Sequence, residues 1–313
     1  FDAHSREQME LLKGHVRPSQ GLYFKPGGTW SALTSGSFGL RYYPEGFLFD
    51  SKGQVAVGLN YDYIVALMNT NLLTSLAKLI MPTLDYKCGD VKKLPYIEAD
   101  QPRIIENGAA LRDAAKSDWD SFESSWDFQC LRICTTVDTS LANSWVSHRD
   151  YCNARIAKMI SLEVQNNVLV SMAAGISSEI PAEVFEDQIT LARADCEKDC
   201  QRLISYAIGC MMGRYSLDEP GLIYAHAGNV GFDASRYEKK FPADADGIVP
   251  ITDERWFEDD AASRVREFLR AVWGAETLEE NMAWLAESLG TKGNETPDET
   301  IRLYLADKFF KDH

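Results

Sequence analysis

Apolar residues recur along most of this chain at the spacing of helices. Between residues 60 and 80 they return every three or four positions, which predicts an amphipathic helix that ends before Pro82. Residues 138–173 keep a helical pattern throughout, which is long for a helix of a globular protein. The same spacing predicts shorter helices at about 102–116, 193–213, 276–289 and 296–310. A further helix is predicted to begin after Thr252, its candidate N-cap.

A second pattern occupies residues 21–58, where short aromatic runs are separated by glycine. Phe38, Leu40 and Tyr42 stand at alternate positions, as the side chains on one face of a strand do. The tripeptides Pro-Glu-Gly and Ser-Lys-Gly that follow are typical of turns. The sequence therefore predicts an α+β protein that is predominantly helical and has a small β-rich module near its start.

These patterns divide the chain into three predicted parts. Residues 1–137 are expected to form the β-rich module with flanking helices, residues 138–215 a long helical connector, and residues 216–313 an acidic helical C-terminal domain. A length of 313 residues is sufficient for more than one domain.

Charge is distributed unevenly between the two ends of the chain. The net charge is −15, yet residues 1–100 carry 10 Lys and Arg against 10 Asp and Glu, whereas residues 101–313 carry 22 against 37. A surface that contacts nucleic-acid phosphates is therefore expected mainly within the first hundred residues. The acidic remainder is expected to face solvent or protein.

Several features predict a cytoplasmic protein without a membrane segment. The longest apolar stretch, residues 63–81, is interrupted by Asn69, Asn71 and Lys78, and no secretory signal opens the chain. Seven cysteines, an odd number, indicate reduced thiols. Because the first residue is not Met and the last residues continue an amphipathic pattern, we expect a fragment of a longer protein.

The segment SDWDSFESSWDF at residues 117–128 mixes aromatic and acidic side chains. Carboxylates beside a stacked ring are typical of enzymes that act on sugars. Helical spacing, however, would place Trp119, Phe122 and Trp126 on one face and the acids elsewhere. Aromatic stripes of this kind usually belong to a core, so the sequence favours a helix anchored by three buried aromatic side chains.

Motifs for catalysis and metal binding are missing from the sequence. It contains no P-loop, dinucleotide fingerprint, G-x-S-x-G elbow or zincin motif. The pairs Cys130/Cys134 and Cys196/Cys200 suggest zinc, but neither has the two-residue gap of a zinc knuckle, and the second lies in a helical pattern. Structural cysteines are the favoured interpretation, and no catalytic or metal site is predicted.

The order of several motifs is similar to that of a known family. The chain reads TWSALTSGSFGLRYYPEGFLFD at residues 29–50, ALMNTNLL at 66–73 and MPTLDYKCGDVKKLPYI at 81–97, followed by SDWDSFESSWDF. This order resembles the region downstream of the catalytic domain in large adenine-specific DNA methyltransferases, of both the type IIG restriction-modification kind and the BREX phage-defence kind. Later segments, including DGIVPITDERWFEDDAASRVREFL, extend the resemblance over nearly the whole chain and favour the BREX kind.

The resemblance implies that catalysis is located outside this segment. The methyl-donor pocket and the catalytic Asn-Pro-Pro-aromatic motif of the family are expected before the region seen here. The nearest candidates, MPTL and LPYI, lack the Asn that would hold the amine of a flipped adenine. S-adenosylmethionine is then a cofactor of the parent enzyme, and this segment is expected to be inactive alone.

The resemblance also implies a target-recognition domain for double-stranded DNA, which must contact phosphates and base edges. Taken one at a time, suitable side chains are more typical of solvated charges or turn hydroxyls, and Trp30 is more typical of a core. The predicted DNA-binding residues are Lys25, Ser35, Ser37, Arg41, Lys52, Lys87, Lys92 and Lys93.

A protein-docking module is the alternative prediction. Its acidic helical half would bind other subunits of a defence complex. A phage inhibitor that mimics DNA would be repelled by that half and would engage the first hundred residues instead.

Overall fold

The computed structural model describes residues 2–14, 19–50, 52–58, 60–224, 228, 230–237 and 240–312. Helices predominate in them beside one small antiparallel sheet, which confirms the predicted α+β, mainly helical fold class. The strands are β1 (Gly27–Ser31), β2 (Arg41–Tyr43) and β3 (Gly53–Ala56). The helices are α1 (Ala3–Glu10), α2 (Tyr61–Met68), α3 (Asn71–Ile80), α4 (Cys88–Val91), α5 (Gln101–Trp119), α6 (Arg132–Thr135), α7 (Leu141–Ala173), α8 (Cys196–Met211), α9 (Ala261–Trp273), α10 (Leu278–Leu289), α11 (Pro297–Asp307) and α12 (Phe309–Asp312).

The helix predicted over residues 60–80 consists of two helices, α2 and α3, which meet at a bend of 74°. The break follows from local side-chain bonds: Asn69 Nδ2 donates to a backbone carbonyl one turn earlier at 2.9 Å, and the Thr70 hydroxyl donates to Leu67 O at 2.7 Å. Bonds of this kind compete with the helical ladder. Among the described helices, no single one is long and apolar enough to cross a membrane. Together, the bent pair α2 and α3 reaches that length and apolar composition, and no other observation indicates a span.

Two other helix predictions had different outcomes. The long helix predicted over 138–173 is present as α7. The predicted start at Thr252 is wrong, because α9 begins at Ala261 behind the N-cap Asp260, whose carboxylate accepts from Ser263 N at 2.8 Å. The Thr252 hydroxyl instead donates to a nearby backbone carbonyl at 2.6 Å.

The aromatic stripe predicted in residues 117–128 does not form. Helix α5 ends at Trp119, and the chain continues through turns and bends over residues 120–127. Trp119 is 61% exposed and Trp126 is 98% exposed, while Phe128 is only 3% exposed. The prediction of three buried aromatic anchors is therefore wrong, and the buried ring of this segment is Phe128.

Several side-chain bonds lie at the end of α5. Lys116 Nζ binds the carboxylates of both Asp120 and Asp127, and the Ser125 hydroxyl donates to Asp120 at 2.8 Å. The Lys116–Asp120 pair spans one turn, whereas the Ser121 hydroxyl donates to Asp118 O at 2.6 Å, a bond of the kind that competes with the helical ladder.

Contacts divide the chain into two compact units. The first unit consists of Phe1–Arg112 and Met159–Phe185, and the second consists of Asp113–Lys158 and Glu186–His313. The boundaries between the units fall inside α5, inside α7 and after Phe185.

Each unit has its own hydrophobic core. In the first unit the core joins β1 and the segment before β2 to α2, α3 and α5, and its members include Trp30, Phe38, Tyr63, Leu67, Leu73, Ile104 and Val170. In the second unit α8, α9, α10 and α11 pack together around Phe128, Leu203, Tyr206, Phe268, Leu269, Leu285 and Ile301.

The cysteines are free thiols in this structure. Cys200 and Cys210 are almost fully buried in the second core, where they pack as small apolar side chains. The part of the chain that the structure describes contains no group of three or more His, Cys, Asp or Glu side chains arranged to hold a metal ion.

Candidate nucleic-acid interface

The three-stranded sheet of the first unit brings several predicted residues to one of its ends. Strand β1 lies in the middle, with β2 and β3 antiparallel on either side. The register pairs Thr29 with Arg41 and Ser31 with Gly53. The end of β1 therefore meets the starts of β2 and β3, and Arg41 Nη1 lies 3.5 Å from Ser31 Oγ.

Beyond this end, the chain after β1 pairs with a segment that lies about fifty residues later. Tyr86 N donates to Ala32 O at 2.7 Å, Thr34 N donates to Leu84 O at 3.0 Å, and Leu33 stands opposite Asp85. We call residues 32–34 and 84–86 the ribbon. It is a two-stranded antiparallel extension of the sheet.

The ribbon has a supported part and an exposed part. Ala32 and Tyr86 are buried at 4% exposure each, whereas Leu33 is 66% exposed and Leu84 is 58% exposed. Because neighbouring side chains of a strand point to opposite faces, Leu33 and Asp85 lie on one face of the ribbon and Leu84 lies on the other.

Aromatic packing holds the ribbon from its buried side. Trp30, Phe38 and Tyr86 form a cluster, with ring centroids 6.1 Å apart for the first pair and 5.5 Å apart for the second. Trp30 Nε1 donates to Tyr86 O at 2.8 Å, which satisfies the buried indole. The Tyr86 hydroxyl donates to Gly36 O at 3.4 Å and so ties the loop after the ribbon to the same cluster. As expected from the sequence, Trp30 is a core residue.

An asparagine side chain positions the start of β2. Asn69 Oδ1 accepts from Leu40 N at 2.9 Å, and Asn69 Nδ2 donates to Leu40 O at 2.7 Å. The amide thus pairs with Leu40 as the backbone of a neighbouring strand would. Because Leu40 directly precedes Arg41, this pairing fixes the backbone that carries the Arg41 side chain.

A tight turn fixes the backbone before β3. Asp50 Oδ1 accepts from Gly53 N and from Lys52 N, each at 2.8 Å, and these backbone hydrogen bonds lower the pKa of the Asp50 carboxyl. Ala32 N donates to Lys52 O at 2.9 Å, so the turn also contacts the ribbon. The Lys52 side chain is therefore presented beside the ribbon from a fixed backbone.

The structure places all eight predicted DNA-binding side chains on the surface, and five of them adjoin the ribbon. Arg41 and Lys52 lie at the end of the sheet from which the ribbon extends. Ser35, Ser37 and Lys87 follow the two segments of the ribbon along the chain. The exposed positions are Lys25, Ser35, Ser37, Arg41, Lys52, Lys87, Lys92 and Lys93.

The other three predicted residues lie elsewhere in the first unit. Lys25 precedes β1, so up to about 20 Å of extended chain separates it from Ser31, at about 3.3 Å per residue. Lys92 and Lys93 follow α4, and Lys93 Nζ forms an ion pair with Asp90 at 2.7 Å. Within the described residues, no hydrogen bond or ion pair joins the side chains of these three lysines to the ribbon.

The charge of this region suits a polyanion better than the charge of the whole chain does. Residues 21–97 contain seven Lys and Arg against five Asp and Glu, although the chain as a whole has a net charge of −15. On the ribbon itself, Asp85 is offset by Lys87, whose Nζ lies 3.4 Å from Asp85 Oδ2. The region is therefore mildly cationic around a ribbon whose one charged side chain, Asp85, is paired with Lys87.

The sequence did not predict the positions of three residues at this candidate interface. Leu33 and Leu84 are exposed only because their segments pair with each other beyond the core, which their apolar character does not reveal. Asn69 stands in the quoted motif ALMNTNLL, but its role depends on Leu40, which lies 29 residues earlier in the chain.

The chain is similar to adenine-specific methyltransferases over almost its whole length. No protein-family model matches it. It is 37% identical to the adenine-specific methyltransferase BrxX of Escherichia coli (strain HS), over 99% of this chain and 28% of that protein. It is 36% identical to the adenine-specific methyltransferase PglX of Lacticaseibacillus casei (strain Zhang), over 93% of this chain and 25% of that protein.

These identities confirm the resemblance predicted from the motifs. The chain is homologous to a segment of BREX-type adenine-specific methyltransferases. It spans about a quarter of the length of the curated relatives that it matches.

Proposed function

We propose that this chain is the DNA target-recognition and scaffold segment of a site-specific adenine-N6 DNA methyltransferase in bacterial phage defence. The observation that carries the proposal is the position of five exposed residues that adjoin one ribbon: Ser35, Ser37, Arg41, Lys52 and Lys87. The relatives are named as enzymes that act on adenine, and such enzymes must locate their target base in duplex DNA.

The side chains around the ribbon divide into two kinds of contact. Lysine is a mobile point charge that suits phosphate, which positions a protein on DNA without reading its sequence. Arginine presents a planar fork that pairs with both acceptors of a guanine edge. In this proposal Lys52 and Lys87 contact phosphates and position the duplex, while Arg41 reads a base edge. The hydroxyls of Ser35 and Ser37 contact phosphates or base edges.

Catalysis is assigned to the remainder of the parent enzyme. The sequence lacks the Asn-Pro-Pro-aromatic motif, and we expect no saturable binding of S-adenosylmethionine to the 313-residue chain in calorimetry. Saturable binding of this methyl donor would contradict that assignment.

Duplex binding by the 313-residue chain tests the proposal. We expect a dissociation constant of about 10⁻⁴ to 10⁻⁶ M at physiological salt, typical of non-specific DNA binding, with affinity falling steeply as salt rises. Lys52→Ala and Lys87→Ala should each weaken binding and flatten the salt dependence, with a slope change of up to about one.

Lys292→Ala is the matched control, because Lys292 is an exposed lysine of the second unit. Fluorescence anisotropy with a labelled duplex across a salt series measures all variants. If the chain binds no duplex at low salt, or if all three lysine variants bind like the wild type, DNA recognition does not reside at the ribbon.

A protein-docking function for the second unit is the second candidate, and exposed tryptophans favour it. Trp119, Trp126 and Trp256 are 61%, 98% and 69% exposed, and tryptophan is enriched among the residues that dominate protein interfaces. Titration calorimetry of the chain against purified subunits of a defence complex tests this candidate. Trp126→Ala should weaken such binding without changing duplex binding, whereas a loss of duplex affinity would contradict the docking role.

A further inference from the structure

A cluster of cationic side chains lies in the second unit, whereas the ribbon belongs to the first. On α7, His148, Tyr151 and Arg155 stand three and four positions apart and therefore share one face of the helix. Arg132, the first residue of α6, packs on this face, with its guanidinium carbon 3.6 Å from the centroid of the Tyr151 ring. The guanidinium carbon of Arg155 lies 5.3 Å from the same centroid. Two guanidinium groups thus meet at one tyrosine.

Helix α8 adds a third arginine to the cluster. Arg202 Nη1 lies 3.2 Å from Asp199 Oδ1, and Asp199 Oδ2 lies 3.8 Å from His148 Nε2. Burial lowers the pKa of His148, the charge of Asp199 opposes this shift, and the charges of the three arginines lower the pKa further. The three guanidinium groups therefore lie close enough to this imidazole to disfavour its protonation.

Carboxylates neutralise two of the three arginines. Arg155 Nη1 lies 3.4 Å from Asp118 Oδ1, and Arg202 is paired with Asp199. Among the residues that the structure describes, no hydrogen bond or ion pair engages the guanidinium of Arg132. Arg132 is thus the uncompensated cation of the cluster.

Two buried nitrogens of the cluster, Arg132 Nε and His148 Nδ1, have no hydrogen-bond partner within the described residues. Buried polar atoms are nearly always hydrogen-bonded, so such exceptions require an explanation. Arginine Nε is a donor, and imidazole Nδ1 donates when the ring is protonated. An anion beside Arg132 would accept from Nε and would also offset the cations that disfavour the charged form of His148.

A single phosphate group suits this chemistry. The planar fork of an arginine pairs with two phosphate oxygens, and a phosphate monoester keeps a third oxygen as an acceptor for another donor. A long polyanion suits the surroundings less well, because Asp118 and Asp199 lie within the cluster and residues 101–313 carry 22 Lys and Arg against 37 Asp and Glu. The charges therefore favour a small ligand over a DNA backbone.

We propose that Arg132 and His148 bind one phosphate group of a small ligand, either inorganic phosphate or a phosphate monoester. This inference goes beyond the proposed function, since it does not require that the chain binds DNA. It assigns a ligand site to the second unit.

Titration calorimetry of the 313-residue chain tests the proposal. Inorganic phosphate and glycerol phosphate are titrated separately at neutral pH, with sodium chloride holding the ionic strength constant. We expect saturable binding of one phosphate group per chain, and the tighter of the two ligands identifies the source of the phosphate. Arg132→Gln should weaken this binding by about 10- to 100-fold, as loss of a charge-assisted hydrogen bond does.

Two further variants separate the site from a general effect of charge. Arg149→Gln removes the same charge from the residue next to His148, but Arg149 is already paired with Asp150 at 3.0 Å, so this variant should keep the affinity of the wild type. Arg132→Lys keeps a cation without the planar fork and should weaken binding less than Arg132→Gln does. Circular dichroism confirms that the variants are folded.

Three results would overturn the inference. The first is an absence of saturable binding of either ligand to the wild type. The second is an equal loss of affinity in Arg132→Gln and Arg149→Gln. The third is a loss of duplex affinity in Arg132→Gln, measured by fluorescence anisotropy, because the occupant would then be a DNA backbone.

Failure of this inference is distinguishable from failure of the proposed function. If neither phosphate ligand binds while Lys52→Ala still weakens duplex binding, only the phosphate site is wrong. If the chain binds phosphate but no duplex, the phosphate site stands and the proposed function fails.

Discussion

Alanine substitution at Phe128 should cost far more stability than alanine substitution at Trp126, although the two rings stand only two positions apart. Phe128 is 3% exposed in the core of the second unit, and its ring centroid lies 5.9 Å from that of Tyr206 and 5.2 Å from that of Tyr215. Trp126 is 98% exposed. The larger side chain therefore contributes almost no burial to the folded state.

The magnitudes follow from these environments. Truncation of a buried Phe to Ala typically costs about 3–5 kcal/mol, and edge-on aromatic pairs like those of Phe128 add about 0.5–1.5 kcal/mol beyond burial. We therefore expect Phe128→Ala to cost about 4–5 kcal/mol. Trp126→Ala should change the free energy of unfolding by no more than about 0.5 kcal/mol, as surface substitutions usually do.

Guanidinium unfolding followed by far-UV circular dichroism measures both variants, and removal of a tryptophan does not distort that signal as it would distort fluorescence. Each unfolding transition is fitted separately, because a chain with two compact units commonly unfolds in more than one step. A cost above about 1 kcal/mol for Trp126→Ala, or below about 1 kcal/mol for Phe128→Ala, would refute the assignment of the buried anchor.

Asn69→Ala should destabilise the first unit by about 1–3 kcal/mol in chemical denaturation, because it leaves buried backbone groups without partners; a neutral effect would contradict the strand-like pairing of the amide. Lys92→Ala should flatten the salt dependence of duplex binding more than Lys93→Ala does in anisotropy titrations, because Lys93 is already paired with Asp90; equal changes would contradict this difference. Burial lowers the pKa of His148, so the folded state disfavours the imidazolium, and the stabilisation present above about pH 6.5 is lost as pH falls. His148→Gln should therefore reduce the fall in melting temperature between about pH 7 and pH 5, and an unchanged profile would contradict the assignment.

Periodicity predicted the elements whose bonds are local. The pattern over residues 138–173 corresponds to α7, because helical hydrogen bonds join residues four apart and the sequence carries that spacing. The same reasoning failed after α5, where the helix ends at Trp119 and the Ser121 hydroxyl donates to the backbone carbonyl of Asp118. Spacing gives no weight to such competing bonds, so it extended the aromatic stripe beyond Trp119.

The sequence predicted the charged residues of the candidate site but not the backbone pairing that brings some of them together. Arg41, Lys52 and Lys87 were selected by residue type and lie on the surface as expected. The ribbon that brings them together depends on the pairing of Leu33 with Asp85, about fifty residues apart. No local pattern encodes a pairing at that separation, so the sequence did not indicate which cations share a surface.

The two sides of the ribbon are subject to different constraints on mutation. Ala32 and Tyr86 are fixed by the packing beneath them, whereas Leu33 and Asp85 lie on the opposite face and Leu84 is exposed where the ribbon ends. Substitutions at exposed positions usually alter stability by less than about 0.5 kcal/mol. Descendants of this module can therefore vary the outward side chains while the domain still folds, and under the proposed function such changes would alter what the ribbon contacts.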